Sequence, residues 1–271
     1  MTDLARAADL LGPRVERGVP LAPLSTYRVG GAAALFLEVR SDDDLARCRT
    51  AVAQTGIEVL VIGNGSNLLV RDAGFDGLAL QLGARFRETA VDGDVVVAGG
   101  GAKLPVVARE TVQAGLTGFE WAVGVPGTIG GAVRMNAGGH GSDMAAVVSG
   151  VRVFDARTGE TSTMSPVDCD FGYRHSSIRS TQVVLDATLH LAPAPPEVDG
   201  TALLRDIVRW RRAHQPVKKR RGDGEIDDQY RHRDLGPEPI AQPKCENGGE
   251  GKNRNGLRKH HHRADEAACH R

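Results

Sequence analysis

Residues 118–139 read GFEWAVGVPGTIGGAVRMNAGG, and the fold turns on how this stretch is understood. It is dense in glycine yet carries Trp121, Val123, Val125, Ile129 and Val133, so it is not a flexible linker, which would be polar. Glycine pairs at Gly130–Gly131 and Gly138–Gly139, with Pro126 before Gly127, describe a backbone that turns sharply and admits a close neighbour, because no Cβ stands in the way. That neighbour is read as a cofactor.

A second loop of the same kind lies upstream. Residues 59–62 form a short apolar strand, followed at once by GNGSN at residues 63–67 and a further strand, LLV. Alternate glycines can expose successive backbone N–H groups as an anion-binding nest, with Ser66 and Asn67 adding side-chain donors. A diphosphate fits such a nest. Asn-Gly is equally a strong hairpin signal, and both readings stand on the loop alone. It is neither a Walker loop, since the lysine is missing, nor a Rossmann fingerprint, since no helix follows.

Around these loops the chain alternates strands and helices. A helix capped by Thr2 ends at Gly12–Pro13, and Gly30–Gly31 breaks the chain before a strand at residues 34–39. Ser41, three residues before Asp44, opens an amphipathic helix that ends at Gly56 and makes Cys48 a core residue. Strands are expected at 78–82 and 95–98, a helix at 103–114 with Pro105 in its first turn, and strands at 151–154, 161–164 and 183–191. The proline-rich APAPPEVDG then leads to a helix with Leu203, Ile207 and Trp210 on one side, and serves as a domain boundary.

Composition bounds the function. The 271 residues are 41% hydrophobic, and Lys plus Arg equals Asp plus Glu at 34 each. No overall charge points to nucleic acid or a membrane surface. Four cysteines without a C-x-x-C pair, no apolar leader and no membrane-length apolar run lead to the expectation of a soluble, cytoplasmic protein. After Pro216 the character changes: residues 217–271 contain no Phe, Trp or Met, and only five Val, Ile or Leu. Too little apolar surface is left to offset chain entropy, so disorder is expected there. His260, His261 and His262, with Cys269 and His270, carry metal-ligand chemistry, but a polar tail without a scaffold favours an unstructured reading, and no metal is assigned. The basic run at 218–221 is followed by Asp223, Glu225, Asp227 and Asp228, which blunt its field.

GNGSN after a strand, then GVPGTIGGAVRMNAGG, then YR-x-S at residues 173–176, in this order, closely resemble the UDP-N-acetylenolpyruvoylglucosamine reductase family over residues 24–216. The resemblance implies an α+β protein with the FAD-binding fold of the vanillyl-alcohol-oxidase type. The two FAD subdomains fall at 1–90 and 91–192, a linker with the start of the substrate domain at 193–216, and a non-matching tail at 217–271. It implies that Gly63, Asn64, Gly65, Ser66 and Asn67 hold the FAD diphosphate. Gly124, Pro126, Gly127, Thr128, Gly130, Gly131 and Ala132, with Asn136, Ala137 and Gly138, would lie along the flavin, and residues 27–31 match the motif that opens the FAD domain.

The implied reaction passes hydride from NADPH through FAD to the enolpyruvyl group of a UDP-sugar, a step of cell-wall precursor synthesis. Negative charge then builds beside the substrate carboxylate, and a fixed guanidinium there lowers the barrier. On the resemblance that role falls to Arg174, with Tyr173 lining the site; a lone arginine without the motif would be read as a surface ion pair. His175 is left unassigned. The family's serine proton donor after R-R-x-x-Q-P, here residues 211–216, has no counterpart, because no serine follows Ser180; its C-terminal glutamate has none either. A missing or replaced third domain and a frame change near the Pro216 codon are the matching expectations. Two other functions stay open: a flavin-binding remnant without turnover, and an FAD-dependent oxidase of another alcohol or sugar.

Overall fold

The structure, a computed structural model, describes residues 3–214. The readings made for residues 217–271, including the basic run and the histidine cluster, lie outside the described residues, as does the Thr2 cap. All described residues belong to one compact unit.

The chain begins with α1 (Asp3–Leu11), β1 (Glu16–Pro20), β2 (Ala32–Val39), α2 (Asp42–Thr55), β3 (Val59–Ile62) and β4 (Phe75–Leu82). The strands form a four-stranded sheet in the order β1-β2-β4-β3, antiparallel at β1 and parallel elsewhere. Leu35, Leu37 and Val39 of β2 and Leu78 and Leu80 of β4 share a core with Ala8, Leu11, Leu45, Cys48 and Val52 of the two helices. The apolar spacing read along α2 is therefore its packed face.

The start of α2 is fixed by a capping box. The Ser41 hydroxyl accepts from Asp44 N–H at 3.3 Å, and the Asp44 carboxylate accepts from the N–H groups of Arg40 (2.8 Å) and Ser41 (3.0 Å). Gly56, at φ +68°, closes the other end. Burial alone would raise the Asp44 carboxyl, but the hydrogen bonds from Arg40 and Ser41 and the charge of Arg14 outweigh it and hold it below the usual range. A lowered carboxyl contributes stability above its unfolded value, near pH 4, which is lost as pH falls through the folded value. Asp44→Asn is expected to destabilise at neutral pH, and its gap to wild type to close on acidification below about pH 4; urea midpoints measured against pH check this. Burial, with the charge of Asp44, pushes the Cys48 thiol up to about 12, which suits a packing residue rather than a nucleophile.

The second half comprises β5 (Thr89–Asp92), β6 (Val95–Gly99), α3 (Leu104–Gln113), β7 (Leu116–Thr117), α4 (Ile129–Arg134), β8 (Gly138–Gly139), β9 (Ser142–Asp143), β10 (Val148–Asp155), β11 (Thr161–Met164), α5 (Pro166–Cys169), β12 (Gln182–His190), β13 (Ala192–Pro193) and α6 (Gly200–His214). Five of these strands make an antiparallel sheet in the order β11-β10-β12-β6-β5. β12 is buried on both faces. Val183 and Leu185 join the core of the first half, while Val184, Ala187 and Leu189 join the core of the second. The two sheets are thus tied through adjacent residues of one strand.

Three expectations change in detail. Residues 68–70 are not a strand, because β3 takes β4 as a parallel partner and the intervening loop has no ladder to join; Leu69 is exposed and only Val70 is buried. For the same reason the hairpin reading of residues 63–67 fails, since a hairpin needs an antiparallel partner. The turn at Gly93 is a hairpin whose first strand, β5, is not among the expected strands; three of its four residues face solvent and carry no buried pattern. α6, after the proline-rich segment, packs Leu204 into the second core beside Ile207 and Val208.

Candidate functional site

The GNGSN loop leaves β3 and is held by the segment that follows β1. Thr26 N–H donates to the Gly65 carbonyl at 2.9 Å, and Gly65 has φ +61°. A Cβ at Gly65 would stand 1.9 Å from the Leu24 carbonyl oxygen, so only glycine fits the crossing. The N–H groups of Asn64, Gly65, Ser66 and Asn67 donate to no protein group among the described residues. This is what an open nest provides.

Residues 118–139 lie alongside this loop. Gly118, at φ +106°, starts the stretch, and the buried Glu120 carboxylate fixes it by accepting from Thr117 Oγ1 (2.6 Å) and Gly118 N–H (2.8 Å). Phe119 and Trp121 meet edge to face, 5.4 Å between ring centres, in the second core. Thr128 caps α4, its hydroxyl accepting from Gly131 N–H at 3.3 Å. A Cβ on Gly63 would meet that same hydroxyl at 2.5 Å, so the two glycine-rich segments touch through Gly63 and Thr128. The other first-turn N–H groups of α4 are engaged: Ile129 donates to Ala102 and Gly130 to Gly100. The N–H groups of residues 129–131 are consequently not free for an anion, whereas those of the nest are.

Between the two sheets runs a cleft of about 450 Å³. β3, Gly63, Asn64, Gln81 and Leu82 form one wall; Gly100, Gly101, Thr128, Gly130, Gly131, Ile178 and Val184 form the other. Arg87, Lys103, Arg134 and Arg179 also line it, with no Asp or Glu in the lining among the described residues; Arg179 pairs with Asp155 at 2.8 Å and Arg87 approaches Glu38 at 3.8 Å, which leaves Lys103 and Arg134 as the cations without a carboxylate partner there. An apolar slot with one sign of charge focuses the field on an anionic ligand. The residues present therefore fit an FAD: an apolar wall for a ring system, and free N–H groups with cations for a diphosphate.

Of the residues expected at the site, Gly63, Asn64, Thr128, Gly130 and Gly131 line this cleft. Gly127 packs toward Ser66, whose hydroxyl would lie 3.7 Å from a Cβ on that glycine. Gly124 faces α6 instead, where a Cβ would meet Ile207 at 3.1 Å. Ala132 and Ala137 are buried in the second core. Asn136, Gly138, Tyr173 and Arg174 gather around a separate depression of about 350 Å³ together with Asp143. Tyr173 is 93% exposed, and the Arg174 guanidinium lies 5.8 Å from its ring centre. Arg174 adopts φ +55°.

The cations of the cleft and the pair Gly100–Gly101 are not among the residues expected from the sequence. The glycine run after β6 is a usable signal, the same one as at residues 63–67. Gly100 must be glycine, because a Cβ there would stand 1.9 Å from the Val184 carbonyl oxygen. Arg134 and Arg179 carry no such signal; the packing of α4 on β12 brings them to one cleft.

The comparisons agree with this geometry. A family model described as "FAD binding domain" matches residues 33–165. A UDP-N-acetylenolpyruvoylglucosamine reductase of Paramagnetospirillum magneticum is 41% identical over 210 residues, covering 77% of this chain and 67% of the relative. The crystal structure of the same enzyme from Thermus caldophilus superposes with a TM-score of 0.66 at 34% identity, covering 76% of this chain and 72% of that one. A 4-ethylphenol oxidase from Gulosibacter chungangensis, at 17% identity, shares the fold with a TM-score of 0.52 over 72% of this chain and 44% of its own. The chain spans about two-thirds of the length of the curated relatives it matches, 67%, 61% and 66% for three of them. The fold is the α+β FAD-binding fold of the vanillyl-alcohol-oxidase type, and the chain belongs to the UDP-N-acetylenolpyruvoylglucosamine reductase family.

Proposed function

We propose that this chain binds FAD in the cleft between its two sheets and carries the flavin-holding and anion-stabilising parts of UDP-N-acetylenolpyruvoylglucosamine reduction, with NADPH as hydride donor. The observation that carries the reading is the pairing of an open nest at residues 64–67 with a cleft whose lining, among the described residues, holds Lys103 and Arg134 without carboxylate partners and no acid. Asn64, Gly65, Ser66 and Asn67 would hold the diphosphate, with Lys103 and Arg134 adding charge. FAD, when bound, supplies the hydride-transfer chemistry. Arg174 forms no ion pair with a protein carboxylate among the described residues, so its guanidinium is available to a substrate carboxylate and to the charge that builds beside it. Tyr173 would shield one side of that guanidinium.

The protonation half of the reaction is not assigned to any residue, since no serine follows Ser180. Purified chain should carry or rebind a yellow flavin, and its NADPH oxidation should not rise when UDP-N-acetylglucosamine enolpyruvate is added. Substrate-stimulated turnover would show that another group of this chain protonates the product. No observation favours an oxidase reading: neither His nor Cys lines the cleft among the described residues, leaving no side chain for a covalent flavin link there. No helix of the described residues is long and apolar enough to cross a membrane. The proposed setting is the cytoplasm and the proposed partner a UDP-sugar.

Charge reversal tests the cation lining. Lys103→Glu and Arg134→Glu are each expected to weaken FAD binding about tenfold, and to flatten its dependence on salt. Flavin titrations at low and high ionic strength measure both. Unchanged affinity in both variants would remove the cations from the site.

A further inference from the structure

We propose that Asn136 is a positioning residue for Arg174 rather than a cofactor ligand; the proposal rests on the reading of Arg174 as the anion-stabilising group. The Asn136 side chain is buried. Its Nδ2 donates to the Gly172 carbonyl at 3.0 Å and to Asp143 Oδ2 at 3.1 Å, and its Oδ1 accepts from Ala145 N–H at 2.9 Å. Both amide hydrogens are used inside the protein, which leaves none for a ligand.

Gly172 is the base of the turn that displays Tyr173 and Arg174. Gly172 N–H donates to the His175 carbonyl at 3.1 Å, and His175 N–H donates back at 3.2 Å. On the far side of the turn the buried Ser176 hydroxyl donates to the Arg134 carbonyl at 2.9 Å. Gly172 and Ser176 are thus tied to Asn136 and Arg134, at the end of the stretch that opens on residue 118. Arg174 sits between the two ties.

The backbone explains why a clamp is needed. Among the described residues five non-glycine positions have φ in the left-handed region, and four of them, Asn136, His140, Asp170 and Arg174, fall within 136–140 or 170–174. Such conformations persist only where surrounding contacts over-determine them. The Asn136 amide supplies one of those contacts to the carbonyl two residues before Arg174. Its loss lets the turn relax and the guanidinium leave its place beside Asp143 and Gly138, with which it lines the depression.

The test is Asn136→Asp in the full 271-residue chain, read by hydrogen exchange. The aspartate keeps the shape and an acceptor for Ala145 N–H, but as a carboxylate it cannot donate to Gly172. Protection of His175 N–H at neutral pH should fall about tenfold or more. Acid that protonates both this carboxyl and Asp143 frees its single O–H for the Gly172 carbonyl and should restore the protection. Asn136→Ala should lose the protection at every pH, and it carries the test if the aspartate variant does not fold at neutral pH. Protection unchanged in either variant, or a loss in Asn136→Asp that acid does not reverse, would overturn the proposal. Arg174→Ala separates the two readings. It should leave His175 protection as in wild type and weaken only the binding of UDP-N-acetylglucosamine enolpyruvate, so a failure of the assignment of Arg174 shows in that binding and not in the exchange.

Discussion

Replacing Gly65 by alanine is expected to abolish FAD binding and to destabilise the protein by about 2–5 kcal/mol, combining left-handed strain of about 1–2 kcal/mol with overpacking of about 1–3 kcal/mol. Gly65 stands at φ +61°, and its new methyl would lie 1.9 Å from the Leu24 carbonyl oxygen and 2.8 Å from Ser25 Cα. These are backbone atoms and cannot swing away as a side chain can. Accommodating the methyl therefore breaks the Thr26–Gly65 hydrogen bond and displaces the nest from the cleft mouth. Gly93 provides the control. It has nearly the same φ, +58°, but a Cβ there meets nothing within 4 Å. Gly93→Ala should show only the backbone strain and bind FAD normally. Urea midpoints and flavin titration of the two variants distinguish crowding from strain; equal effects would mean that the Leu24 crossing is not rigid.

The second large effect lies beneath the glycine-rich stretch. Phe119 is 1% exposed and packs edge to face on Trp121 within the second core. Phe119→Ala is expected to lose about 3–5 kcal/mol, because removing the ring takes away its contact with Trp121 and leaves a cavity in this core. The same variant should bind FAD more weakly in proportion to the loosening of residues 118–139. Phe119→Leu, which keeps most of the volume, should recover most of both. A stability loss with flavin affinity intact would show that this core supports the fold but does not shape the cleft.

Much of this arrangement is legible along the chain. Ser41 and Asp44 announce α2 because a capping box is local chemistry, complete within four residues. β3 and the nest that follows it are legible for the same reason. The glycine-rich motifs and Tyr173–Arg174 carry the family resemblance, and the resemblance carries the cofactor. What cannot be read depends on contacts distant in sequence. β6 meets β12 across some ninety residues of chain, as Ala98 pairs with Ala187, and that pairing brings Gly100 to Val184. β5 has no alternating pattern because most of its residues face water. The motif assigns Asn136 to the flavin; its three internal hydrogen bonds favour a place beneath the turn of Arg174 instead. No sequence rule distinguishes an asparagine that holds a ligand from one that holds a loop.

The central claim is that a nest opening onto an apolar cleft, with the cations that line it, recognises the diphosphate of FAD. Titrating the flavin-free chain with FAD and, separately, with riboflavin tests it most directly, since the two share the ring system and differ in the diphosphate and the adenosine. The account predicts one FAD per chain, and riboflavin binding weaker by about a hundredfold or more, the worth of two to three charge-assisted hydrogen bonds. Equal affinities, or no saturable binding of FAD, would contradict it.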